Sequence, residues 1–103
     1  MSTRPYAHAV GPGETLVADV SNCAVPFGWT ADVPAGVELG HEFSISDDPE
    51  NWRAAASNAA ITGDVSDVEL DPVRYLRWRH TAGAAAATVR IACEGRVSWS
   101  VES

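Results

Sequence analysis

The chain contains no lysine, and its seven basic residues, all arginine, stand against fourteen aspartates and glutamates. The resulting formal charge of −7 argues against nucleic-acid binding, because neutralising a phosphate backbone needs a positive footprint. Cysteine is scarce too: Cys23 and Cys93 are the two residues, with neither CxxC nor zinc-ligand spacing. No apolar run approaches the ~18 residues of a membrane-spanning helix, so no membrane association is expected. The first residues lack the apolar stretch of a secretory signal, and none is expected. Without export, two reduced thiols are the expectation. The alternative, a bond closing so long a loop, would stabilise the fold by about 4–5 kcal/mol.

What is present is ordinary for one folded domain. The 103 residues are 46% hydrophobic and 20% charged, enough for one core and too few for two. Pro5, Gly11, Pro12 and Gly13 punctuate the first residues, so 1–13 reads as an N-terminal arm and 14–103 as the domain. Beyond the arm, short alternating runs dominate. Leu16, Ala18 and Val20 share a face; so do Phe27, Trp29, Ala31 and Val33, in a strand starting just after Pro26 or lying on an edge. The cleanest run places Val37, Leu39, His41, Phe43 and Ile45 on one face and Glu38, Gly40, Glu42, Ser44 and Ser46 on the other.

Further strands are expected at 65–70, at 73–81 with Leu76 and Trp78 beside Arg74 and His80, and along Val89, Ile91 and Cys93. A last one carries Val97, Trp99 and Val101 after a turn at Glu94-Gly95. About seven to eight strands at this spacing predict an all-β fold, an antiparallel β-sandwich or jelly roll. Residues 49–60 admit two readings. Asp48-Pro49-Glu50 has the cap, proline and acid of a helix start; the other reading is a tight loop over 47–51 followed by a short returning strand carrying Trp52.

Chemistry-bearing sets are thin. None of His8, His41 and His80 lies in a nucleophile signature, and His41 falls on an apolar face as a satisfied core histidine would. Asp47, Asp48, Glu50 and Asn51 make an oxygen-rich loop without calcium-loop order, which reads as a solvated turn. Arg74, Arg77 and Arg79 alternate with Tyr75 and Trp78, a mix that suits single-stranded nucleic acid. Pairing with Asp64, Asp67, Glu69 and Asp71 explains them without it. Core packing is expected of Trp29, Trp78 and Trp99. No catalytic set, metal or cofactor is expected.

Two stretches carry a resemblance. Residues 42–52, EFSISDDPENW, resemble the strand, tight turn and returning tryptophan of discoidin-like (galactose-binding-like) sandwiches; 72–77, PVRYLR, resemble a later strand of the same families. The pairing is also similar to short sandwich domains of tailed-bacteriophage virion proteins, whose closing strands 82–101 match in style. The chain is shorter than discoidin domains and lacks their flanking cysteines, which favours the phage likeness.

That likeness implies a virion structural protein: capsid decoration, head-fibre or spike base, or tail accessory. It would be made in the host cytoplasm and carried on the particle. Its partners would be capsid or tail proteins and its own copies, a trimer first. Thr3, Arg4, Pro5, Tyr6, His8 and Val10 of the arm are the expected docking residues. Trp52 is expected to fold back over the core edge rather than to meet a ligand. The alternative is a discoidin-like carbohydrate-binding module, in which Trp52, Asp47 and Asp48 would carry the ligand.

Overall fold

Runs that alternate apolar and polar residues can bury one face and leave the other wet, and here they pair into two antiparallel sheets. The computed structural model describes residues 4–46 and 51–103. The strands among them are β1 (Arg4–Val10), β2 (Thr15–Asp19), β3 (Phe27–Asp32), β4 (Glu38–Ser44), β5 (Arg53–Ala54), β6 (Ala60–Ile61), β7 (Val65–Glu69), β8 (Tyr75–Ala82), β9 (Ala87–Cys93) and β10 (Ser98–Glu102). One sheet has the order β1-β9-β3-β7, the other β10-β2-β8-β4, with β5 and β6 both pairing the far side of β4. Long strands thus alternate between sheets along the chain, the nested Greek-key winding of a jelly roll.

The inward rows meet between the sheets. Leu16, Ala18, Leu39, Leu76 and Trp78 of one sheet pack against Trp29, Ala31, Val89 and Ile91 of the other, all buried. Trp29 meets Trp78 edge to face across the gap, with centroids 5.3 Å apart. The turn between β9 and β10 needs glycine at position 95. There φ is +127°, and a Cβ would stand 1.9 Å from the Asn22 carbonyl oxygen.

Three expectations change. Residues read as an irregular arm form β1, which pairs β9 from Arg4 opposite Cys93 to Val10 opposite Ala87. Pro5 misled because a proline with no N–H to donate is tolerated on an edge strand, where β1 lies. Ile45, expected inside, is 65% exposed while Ser44 is fully buried. The strand stops at Ser44, whose carbonyl accepts the Arg74 N–H at 2.9 Å, and the alternation stops with it. Of the two readings of 49–60, the returning strand stands, but it starts at Arg53 and leaves Trp52 just before it: β5 pairs Glu42 and Phe43, β6 pairs Leu39 and Gly40, and no helix occurs among the described residues. With β1 and these two short pieces, the strand number among the described residues is ten rather than seven or eight.

Candidate functional site

β7 turns Val65, Asp67 and Glu69 inward and Ser66 and Val68 outward. Two carboxylates on an inner face cannot join a dry core, and here they line an open cleft with residues of the facing sheet. The cleft has a volume of about 470 Å³, and its lining includes His41 and Phe43 of β4, Ser57, and residues 67–73. Ile45, Val68 and Leu70 stand at its rim, exposed to 65%, 54% and 71%.

His41 lies in the cleft wall, nearly sealed from solvent. Its Nδ1 donates to the Arg77 carbonyl at 3.1 Å, because a carbonyl only accepts; Nε2 therefore keeps its lone pair. Burial pushes the His41 pKa down to about 4, against the pull of the Arg77 carbonyl and of the Asp67 and Glu42 charges. The imidazole is neutral at ordinary pH.

The carboxylates are held differently. Burial works to raise the Asp67 pKa, but hydrogen bonds outweigh it and keep it below the usual range. The Val68 N–H donates to Oδ1 at 2.8 Å; Asn58 Nδ2 and Ser57 Oγ donate to Oδ2 at 2.9 and 3.1 Å. Glu69 goes the other way. Burial raises its pKa, helped by the nearby Asp67 and Asp71 charges and opposed by Trp29 Nε1, which donates to it at 3.2 Å. A polar wall beneath an apolar rim suits a guest with an apolar body.

Comparisons with protein-family models, curated proteins and solved structures give no match.

None of the described residues expected to act lines the cleft. Tyr6 donates its hydroxyl to the Gly95 carbonyl at 2.7 Å, His8 lies 5.8 Å from the Trp99 ring, and Val10 is fully buried in the core. Arg4 and Pro5 belong to β1; Thr3, Asp47 and Asp48 lie outside the described residues. Trp52 does not fold onto the core. It lies on the outer face of the second sheet, with the Arg77 guanidinium 4.4 Å over its ring and Tyr75 edge-on at 6.3 Å, apart from the cleft lining.

The arginine stripe is paired across strands, with a partner different from the acids expected. Glu42 Oε1 accepts from Arg77 Nε at 2.8 Å and Arg79 Nε at 2.7 Å. The Arg77 bond, then that of Arg79, holds the Glu42 carboxyl below its usual range despite partial burial. Asp64, by contrast, accepts the Val33 N–H at 2.7 Å. Among the described residues no group of three His, Cys, Asp or Glu side chains could hold a metal ion.

Sequence reasoning missed the cleft itself. Its signal was the spacing Val65, Asp67, Glu69, a period-two row with acids on the face that turned out to be inward.

Proposed function

We propose that the chain is a virion structural protein of a phage or phage-like particle, a rigid jelly roll that docks to copies of itself and to neighbouring capsid or tail proteins. One observation carries the reading. Ile45, Val68 and Leu70 expose large apolar side chains around a single cleft on an acidic chain. Apolar groups gathered around a concavity mark protein-interaction surfaces, and the occupant is an apolar side chain of the adjacent subunit.

Strand addition is the weaker route to docking. The β1 edge carries Pro5, and the Val68 N–H on the β7 edge is already taken by Asp67. Both devices discourage edge-to-edge pairing. Tyr6 and His8 contribute from a strand rather than from a tether. The jelly roll, a framework of capsid and lectin domains, supports the reading together with the likeness of 42–52 and 72–77 to phage sandwich domains.

A carbohydrate-binding role is the second reading, favoured by His41, Asp67 and Glu69 lining the same cleft. Light scattering on the purified chain combined with a glycan array separates the two. A trimer that ignores glycans supports docking; a monomer that binds a glycan, and loses it on Asp67→Asn, overturns it.

A further inference from the structure

Cys23 and Cys93 are 70 positions apart in the chain, yet their Sγ atoms lie 2.8 Å from each other. Cys93 ends β9 and is buried; Cys23 is half-buried in the loop between β2 and β3. We propose that the two thiols are a cross-link site, closed into an intramolecular disulfide by a small-molecule disulfide.

The surroundings hold the two sulfurs in register. The Cys23 N–H donates to the Val20 carbonyl at 3.0 Å and the Ala24 N–H to the Glu94 carbonyl at 2.9 Å. Backbone at Gly95 presses so closely on Asn22 that no Cβ fits between them. The loop bearing Cys23 is thereby clamped to the strand end bearing Cys93. A disulfide has an S–S length of about 2.05 Å, so closure asks for a movement of under about 1 Å. No strand has to move.

The exchange has two steps. The Cys23 thiolate, on the more accessible residue, attacks one sulfur of the reagent RS–SR, forming a mixed disulfide and releasing RS⁻. The Cys93 thiolate then attacks Cys23 Sγ, forming the intramolecular bond and releasing the second RS⁻. Both thiol protons end on the two released thiolates; the cysteines are oxidised and the reagent is reduced to two thiols. Burial, aided by the neighbouring Cys93, pushes the Cys23 pKa up to about 12. The reactive thiolate is scarce at neutral pH, so closure quickens about tenfold per pH unit below that value. The thiols thus stay open in a reducing cytoplasm and close in oxidising surroundings.

The test is incubation of the folded chain with glutathione disulfide at mildly alkaline pH, followed by intact mass, peptide mapping and thermal unfolding. Closure predicts loss of two hydrogen masses, a peptide linking Cys23 to Cys93, and a melting temperature raised by about 10 °C or more. Cys23→Ser, at the half-exposed position, should fold and show none of these changes. Arrest at a glutathione adduct on Cys23, or a bond that forms only in denaturant, would overturn the proposal.

Discussion

His41 and Trp78 lie directly opposite each other on β4 and β8, their rings stacked with centroids 4.9 Å apart and planes 13° from parallel. Trp29 reaches from the facing sheet to within 4.7 Å of the His41 ring. This aromatic trio joins the sheets beside the cleft, and one of its members titrates.

Acid should therefore loosen the fold through His41. The unfolded chain takes up the proton near the ordinary imidazole value of 6.5, the folded chain only near 4. Between those values the unfolded state binds more protons, so stability is full above about pH 6.5 and falls as pH drops toward 4. The loss from this group is about 3 kcal/mol and ends below the folded value. Denaturant titrations across this window should show that slope, and His41→Leu should flatten it. Two-dimensional NMR placing the His41 pKa at or above 6.5 would contradict the assignment.

Trp52 should behave as a surface clasp. Its ring covers the Arg77 guanidinium, which also binds Glu42. Trp52→Ala is expected to cost about 1–2 kcal/mol, below the about 3–5 kcal/mol of a core aromatic truncation. A double-mutant cycle with Arg77→Met should return a coupling of about 0.5–1 kcal/mol. Additive costs would mean the stacking contributes nothing.

Gly95→Ala should destabilise by more than about 2 kcal/mol, since the backbone is left-handed there and a Cβ would strike the Asn22 carbonyl. Gly63→Ala, where nothing lies within 4 Å and φ is unremarkable, should be nearly neutral. Thermal unfolding of the pair checks the claim that the β9–β10 turn and the 21–24 loop are locked together.

Much of the fold could be read because each long strand repeats with period two. The inward rows Leu16–Ala18–Val20, Leu76–Trp78–His80 and Val89–Ile91–Cys93 are buried as the pattern requires. Of the two placements Pro26 allowed, an edge strand or a start just after it, β3 takes the second. β1 was hidden because proline and glycine signal irregularity, while an edge strand needs only half its N–H groups paired. Ile45 was misplaced because alternation does not say where a strand stops.

The candidate site was harder to read for a different reason. Its walls come from the end of β4, the stretch after β5, and β7 with the residues that follow it. Only the winding of the two sheets brings them together. The row Val65, Asp67, Glu69 shows that the acids share a face, but a half-polar strand does not reveal which face is inward. His41 alone was recognisable as buried, since it sits between Leu39 and Phe43 in a regular row.

Substituting the rim should separate docking from folding. Ile45, Val68 and Leu70 give little to the core because they are exposed, so serine at all three should leave the melting temperature within a few degrees. Association through the cleft should be lost, and light scattering should report monomers.

The most direct measurement is quantitative mass spectrometry of purified particles assembled with equal amounts of the parent chain and the Ile45→Ser, Val68→Ser, Leu70→Ser variant. The docking account predicts the parent chain at a fixed copy number, in multiples of three for a trimer, with the triple variant depleted at least tenfold. A parent chain absent from the particles, or a variant incorporated as readily as the parent, would contradict it.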